Sequence, residues 1–437
     1  MKNSGVEWIG EIPEEWEVSK IGQLYEERRT KVSDTVYPPL SVTMQGILPQ
    51  LETAAKSDAH DDRKLVLKGD FAINSRSDRR GSCGISEHDG SVSLINTVIH
   101  PKTEMNPIYY NWLFHSFRFS DEYYKNGHGI VDDLWTTSWS EMKRIFIPLP
   151  PKSIQQHIAS YLDKKCSKIE ETIQNQQQVI EKLKNYKQSL ITEAVTGKIK
   201  IQNGKVCGKY ENYKDSGVEW IGKIPSEWSC VQIKNIFRFL GGYAFNSEDY
   251  VDETEYQILR IGNVKDFKIL FDSSPAYISK ETALKVENFK LKAGYILFTM
   301  TGTRGKKDYF YTHKVTDADC TKKNIYLNQR VGCLIPNSNI SSSYFNYLLK
   351  DNLIKDSVFL SETGTANQAN IGSDDVMRIK LHCPPKEEQK EIADYLDKKC
   401  TAIDTAIEQK QKLIKKLTEY KKSLIYECVT GKKGNLQ

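Results

Sequence analysis

Along two stretches of the chain, apolar side chains recur at alternating steps of four and three. In the first, Leu162, Cys166, Ile169, Ile173, Gln176, Ile180, Leu183, Lys187, Leu190 and Ala194 keep this spacing. In the second, Leu396, Cys400, Ile403, Ile407, Lys410, Ile414, Leu417, Lys421, Leu424 and Cys428 do the same. Such steps put the residues on one stripe of an α-helix, the a and d positions of a coiled-coil seam. Pro150-Pro151 and Pro384-Pro385 suit a first helical turn, and Gly197 and Gly431 are natural stops. The pattern predicts helices over about 155 to 196 and 389 to 430, each roughly 60 Å long at about 1.5 Å per residue. Neither helix can bury its stripe alone. The two are expected to pack antiparallel, with the polar seam positions Gln176 and Lys410 helping to set register.

The helices are copies of one another. From Pro150 to Lys198 and from Pro384 to Lys432, 28 of 49 positions are identical, at an offset of 234. A shorter segment also recurs: Ser4-Gly-Val-Glu-Trp-Ile-Gly, with Ile12-Pro13 and Glu15-Trp16, returns at Ser216 with Ile224-Pro225 and Glu227-Trp228, at an offset of 212. Self-similarity of this kind marks a duplication. The expected organisation is a first block at 1–149, a helix at 150–199, a linker at 200–214, a second block at 215–383, and a second helix with a tail at 384–437. The fold class is expected to be α+β: two globular α/β blocks separated by an antiparallel pair of long coiled-coil helices, with pseudo-two-fold symmetry. The four tryptophans of the short repeat, Trp8, Trp16, Trp220 and Trp228, are expected to anchor each block to the helices, with Trp8 and Trp220 equivalently buried.

Between the repeats the blocks differ, but a trace of common descent survives. Leu67-Lys-Gly69-Asp-Phe-Ala-Ile73 answers Leu291-Lys-Ala-Gly294-Tyr-Ile-Leu297, and Arg80-Gly81 answers Arg304-Gly305. The blocks are read as one fold with different surfaces. After each matched strand comes a loop rich in Arg, Lys, Ser and Thr, with a glycine that lets the backbone come close to a ligand. Guanidinium forks match guanine and side-chain amides match adenine, so these loops are candidate readers of DNA bases and phosphates. In the first block the candidates are Arg76, Arg79, Arg80, Lys125, His128, Thr136 and Thr137, beside Trp135. In the second they are Tyr243, Arg260, Arg304, Lys306, Lys307, Tyr309, Asn328, Gln329, Arg330, Asn367, Gln368 and Asn370.

Composition narrows the class without naming it. The chain has 437 residues, 39% hydrophobic and 27% charged, with a net charge of +5. That permits an acidic partner without requiring one. No run of about 18 apolar residues exists and Met1-Lys-Asn-Ser-Gly lacks the apolar core of a signal peptide, so the expected compartment is the cytoplasm. Nine cysteines without a C-x-x-C pair support neither a disulfide framework nor a zinc site. Thr301-Gly-Thr-Arg-Gly-Lys-Lys misses the spacing of a phosphate-binding loop. Tyr37-Pro38-Pro39-Leu40 lacks the leading Asn or Asp of amino-methylating enzymes. No catalytic or metal-binding constellation emerges.

The residues match a known family. Over essentially its whole length the chain resembles the specificity subunit of type I restriction-modification enzymes. The match rests on Gly5-Val-Glu-Trp8-Ile-Gly-Glu-Ile-Pro13 with Trp16 and its copy at 217 to 228. It rests further on Pro150-Pro151 and Pro384-Pro385 leading into Gln156 and Gln389, on Tyr161-Leu-Asp163-Lys-Lys and Tyr395-Leu-Asp397-Lys-Lys, and on the Val-Thr-Gly-Lys helix ends. The resemblance implies two target-recognition domains, each reading half of a split site in double-stranded DNA. It also implies a helical spacer that sets the gap and docks two modification subunits, and restriction subunits reached through the complex. It implies no catalysis by this chain and no cofactor on it, with methyl donor, ATP and magnesium on the partner subunits. A duplicated protein-binding adaptor and a stand-alone enzyme are the alternatives; DNA affinity with a steep salt dependence and turnover by the isolated chain, respectively, separate them.

Overall fold

The computed structural model describes residues 1–50, 61–129, 135–265, 268–365 and 367–434. They form two compact units. Unit 1 takes in Met1–Gln178 and the chain from Gln409 onward, and unit 2 is Val179–Glu408. Each unit therefore contains one globular block and a part of both long helices.

In unit 1 four strands, β1 (Tyr25–Glu27), β2 (Phe71–Asn74), β3 (Cys83–Ile85) and β4 (Asn96–Pro101), form an antiparallel sheet in the order β3-β2-β4-β1. Two short helices follow, α1 (Pro107–His115) and α2 (Phe117–Lys125). Asn106 and Ser116 cap them by accepting the Tyr109 and Phe119 backbone N–H groups. The chain then enters α3 (Lys152–Val195).

Unit 2 repeats the arrangement with β5 (Phe237–Gly241), β6 (Ile296–Thr299), β7 (Thr312–Lys314) and β8 (Val331–Pro336), in the order β7-β6-β8-β5. Helices α4 (Ser342–Leu348), α5 (Asn352–Phe359) and α6 (Lys386–Val429) follow. The central sheet and helix pair are thus common to both blocks. The outlying sheets are not. In unit 1 Gly90–Ser93 lies antiparallel to Arg63–Val66, whereas in unit 2 Asn324–Leu327 lies parallel to Tyr256–Leu259. The expectation of one fold with different surfaces holds for the core and fails at this periphery.

Both long helices begin three residues earlier than the periodicity predicts, because the prolines occupy positions just before the first turn. Their ends are alike: Gly197 and Gly431 adopt left-handed backbone with φ of 71° and 73°. Lys198 N–H donates to Glu193 O at 2.9 Å and Lys432 N–H to Glu427 O at 2.8 Å, closing a Schellman turn in each copy. Within unit 1 the helices run antiparallel. Gln176 receives a hydrogen bond from Lys410 Nζ at 2.9 Å, and nearer the start of α3 Glu170 pairs with Lys421. Ile158, Leu162, Cys166 and Ile169 pack in one cluster with Leu424, Ile425, Cys428 and Val429. In unit 2 the equivalent residues exchange roles: Ile392, Leu396, Cys400 and Ile403 pack with Leu190, Ile191, Ala194 and Val195. The seam positions Ile180 and Leu183 of α3, and Ile173, Ile407, Ile414 and Leu417, are buried or half-buried.

The short repeat anchors these helix ends. Gly431 sits against Pro13 and Trp16, and Gly197 against Pro225 and Trp228, so that a β-carbon added at either would lie 2.4 Å or 2.6 Å from the proline Cδ. Gly431→Ala and Gly197→Ala are expected to destabilise the chain by the roughly 1–2 kcal/mol of left-handed strain they introduce, and by more from this clash. Gly217→Ala, at φ of 69° with no atom within 4 Å, should show the strain alone. Urea midpoints of the three variants check the difference. Trp8, Trp16 and Trp228 are buried as expected, but Trp220 is only half-buried and does not match Trp8. Its environment differs because it lies at 6.5 Å from the His382 ring, whereas Trp8 packs on Phe119 and donates to Phe146 O at 3.1 Å. The expected linker at 200–214 is structured, with Lys200–Gln202 paired to Lys205–Gly208.

His382 is 2% exposed, with the rings of Trp220 and Trp228 each 6.5 Å from its own, and its Nδ1 has no hydrogen-bond partner among the described residues. Burial lowers its pKa to about 4. An unfolded histidine takes its proton near pH 6.5, so on acidification the unfolded chain is protonated first. The stability contributed by neutral His382 is complete above about pH 6.5 and is lost as pH falls toward 4, on the order of 3 kcal/mol. Urea midpoints between pH 7.5 and 4.5 should show this slope, and His382→Gln should flatten it.

Candidate nucleic-acid interface

The strands end where the candidate loops begin. In unit 1, β2 runs into residues 75–82, and a segment that follows α2 returns beside it. Ser77 N–H donates to Trp135 O at 2.9 Å and Thr137 N–H to Ser75 O at 3.0 Å, while Arg76 and His128 both bridge to Thr136. Unit 2 builds the same junction as a small sheet: Thr301–Gly302 pairs with Gln368–Asn370, which pairs with Thr363–Thr365. There Ile371 N–H donates to Met300 O at 3.0 Å, the counterpart of the Thr137 bond.

This brings most of the sequence candidates together. Arg80 and Lys125 line an open cleft of about 650 Å³ with Ser77, Asp78, Asp121, Tyr124 and Trp135. Arg76, Arg79, Arg80, Lys125 and His128 are exposed and Thr136 is half-buried. The Arg80 guanidinium lies 5.2 Å from the Tyr124 ring centre and 3.7 Å from Asp121; Arg79 is 3.5 Å from Asp78 and Lys125 3.4 Å from Glu7. These exposed ion pairs are weak. They hold the cations at the surface while leaving them exchangeable for phosphate.

In unit 2, Arg304, Lys306, Lys307, Asn367 and Gln368 are exposed on the paired loops, with Asn370 half-buried. Arg304 donates to Gly364 O at 3.4 Å and Lys307 pairs with Asp356 at 2.6 Å. The loop keeps its shape through Asp308, whose carboxylate accepts the Thr303 N–H at 2.7 Å; that bond lowers the Asp308 pKa. Gly81 and Gly305, at φ of 79° and 73°, have no atom within 4 Å of an added β-carbon, so the backbone there is open to approach. Tyr243 bridges to Asn328, and Asn328 N–H donates to Leu259 O at 3.2 Å, which brings Arg260 to the same strand ends. Arg260 is half-buried and donates to Ser274 O; Asn328 is half-buried, and Gln329 and Arg330 are exposed. Met300 N–H donates to Arg330 O at 3.3 Å, joining this group to the Arg304 loop.

Two candidates are corrected. Thr137 is fully buried and its hydroxyl donates to Tyr123 O at 2.9 Å. Tyr309 is 2% exposed, donates to Glu362 at 3.0 Å and packs edge-on against Phe359. Neither can reach a base, because each uses its polar atom to tie the loop to the core. The carboxylates Asp121, Asp356 and Glu362, which hold the loops, escaped the sequence reading because they are distant along the chain and follow no motif.

Residues shared by the two copies of the repeat hold the frame. Trp112 Nε1 donates to Asp163 and the Tyr347 hydroxyl to Asp397, each at 2.7 Å, fixing a block to the start of a long helix. Tyr109 donates to Val429 O at 2.8 Å and Tyr344 to Val195 O at 3.1 Å, fixing it to the end of the other. Gln155 and Gln389 accept the Asn106 and Ser341 N–H groups and donate to Pro150 O and Pro384 O. The counterpart of Gln389 is therefore Gln155, not Gln156.

Comparison with known proteins agrees with this geometry. The family described as type I restriction modification DNA specificity domain matches residues 13–182 and again 225–418. The MjaVIII type I restriction enzyme specificity subunit of Methanocaldococcus jannaschii is 26% identical, over 96% of this chain and 93% of that protein. The EcoBI specificity subunit of Escherichia coli is 21% identical, over 65% of this chain and 58% of that protein. Among solved structures, a chain from work on assembly and conformational transition of the type I restriction-modification system superposes with a TM-score of 0.70 at 13% identity, covering 96% of this chain and 98% of that one. The HsdS subunit from Thermoanaerobacter tengcongensis gives 0.51 at 14% identity, over 96% and 98%. These two likenesses concern the fold. With two family matches that together take in most of its length, the chain belongs to the type I restriction-modification DNA specificity family, as a specificity subunit with two target-recognition domains.

Proposed function

We propose that each unit reads one half of a bipartite site in double-stranded DNA, through the described residues at 75–80, 125–129 and 135–136 in unit 1 and at 300–307, 328–330, 363–365 and 367–370 in unit 2. The observation that carries this reading is the repeated junction: equivalent strands deliver equivalent cation-bearing loops, each met by a second polar segment, although the two blocks have diverged in sequence. Exposed Arg, Lys, Asn and Gln on such loops supply both phosphate contacts and base-edge hydrogen bonds. Helices α3 and α6 take part in both units and serve as the spacer between half-sites; they also offer the docking surface for modification subunits, here taken as two, with restriction subunits joining through that complex. Methyl donor, ATP and magnesium are assigned to those partners. The chain itself supplies recognition, in the cytoplasm. No helix among the described residues is long and apolar enough to cross a membrane.

Exchange of residues 17–149 for the corresponding block of a relative tests the reading. Methylation mapping of cells carrying the hybrid is expected to show one changed half-site, with the other half and the gap retained. Equal turns added to α3 and α6 are expected to change the gap alone. Alteration of both half-sites by the single block exchange would contradict independent readers.

A further inference from the structure

Strand register matches the two units residue by residue. Asn96 faces Asn74 across β4 and β2, and Val331 faces Thr299 across β8 and β6. The two-residue turns before these partners therefore correspond: Leu94-Ile95 in unit 1 and Gln329-Arg330 in unit 2. One backbone bond repeats in both, from Ser75 N–H to Ile95 O and from Met300 N–H to Arg330 O, each at 3.3 Å. Each turn is thus held against the first residue of the loop that carries Arg76 or Arg304.

Their side chains differ in kind. Unit 2 presents an amide and a guanidinium at this place, whereas unit 1 presents two aliphatic groups, Leu94 at 38% and Ile95 at 39% exposure. The turn links strands of two different sheets and neither residue has positive φ, so no turn geometry requires a Leu-Ile tip there. Leu94 also borders an open cleft of about 370 Å³ with Arg29, Lys31 and Lys64, where Arg29 and Lys64 pair with Glu27 and Lys31 with Asp62. An apolar tip beside the exposed, weakly paired cations Arg29 and Lys31 fits a polyanion that carries an apolar feature.

We propose that Leu94 and Ile95 contact a thymine methyl group in the major groove of the first half-site, at the place where Gln329 and Arg330 offer hydrogen-bond donors to the second. The inference rests on the DNA-reading function proposed above. In the major groove the thymine C5 methyl is the apolar feature of the base edges, while Arg fits guanine and Gln fits adenine. The two turns then assign different base classes to equivalent places in the two half-sites.

The test uses the chain assembled with its modification subunits and a duplex carrying the mapped site. Each thymine of the first half-site is replaced in turn by deoxyuracil, which removes the methyl group and keeps the base pair. One replacement is expected to weaken binding about three- to tenfold, as loss of one buried methyl contact implies. The Leu94→Ala/Ile95→Ala variant should lose that discrimination while still preferring the native bases at the other positions of the first half-site, which reports that unit 1 is folded. Leu94→Gln/Ile95→Arg should shift the base preferred at that one position. Specific binding that is indifferent to deoxyuracil everywhere, or discrimination that survives in the Ala variant, overturns the inference and leaves DNA reading intact. Absence of any sequence preference in the assembled complex overturns the DNA reading, and this inference with it.

Discussion

Leu162→Asp is expected to destabilise unit 1, and Leu396→Asp unit 2, by about 3–5 kcal/mol each, because both leucines are fully buried and an aspartate there is taken out of water. The same change at Ile173 or Ile407 should cost less, about 1–2 kcal/mol. Those residues pack at the edges of the unit 1 and unit 2 clusters and remain half-buried, so a carboxylate can turn toward water. Urea unfolding followed by tryptophan fluorescence resolves the effects, since Trp8 and Trp16 belong to the unit 1 core and Trp228 to that of unit 2. Equal losses at all four positions would mean that the mid-helix seam is as well packed as its ends, against the burial seen here.

Arg80→Ala and Arg304→Ala are expected to weaken cognate DNA binding by about 1–3 kcal/mol if the guanidinium meets a base, with relaxed preference at one position. If it meets phosphate, all sequences should weaken alike and the salt slope fall by about one. Arg80 gives up an exposed contact with Asp121 to reach DNA, and Arg304 a long bond to Gly364 O, so neither change leaves a buried group unpaired. Thr137→Val and Tyr309→Phe provide the contrast. Their hydroxyls bond inside the fold, so they should lower thermal stability by about 1 kcal/mol and leave base preference unchanged. Binding of the assembled complex to cognate and one-base variants at two salt concentrations separates these outcomes. Unaltered affinity, slope and preference in both arginine variants would remove the two loops from the interface.

The helices, their pairing and the duplication were legible in the sequence because heptad spacing is local and repeated over many turns, so that each position reinforces the same stripe. The Gln176–Lys410 contact followed from that spacing, as did the glycine stops. Site residues were legible as groups and less so one by one. Residue type separates Arg80 from an aliphatic but does not separate Arg304, which faces solvent, from Tyr309, which turns inward five residues later to bond Glu362.

What the sequence by itself determined was the frame: two copies of a helix, two copies of a tryptophan-bearing segment, and a cation-bearing loop after equivalent strands. What tertiary structure decided was which loop residues are available. Thr137 and Tyr309 are withdrawn by hydrogen bonds to groups their own loops do not contain. Leu94-Ile95 and Gln329-Arg330 are made equivalent by strand register across a sheet. Such pairings form between residues far apart along the chain, where no periodic pattern records them, so burial and register appear only once the strands are assembled.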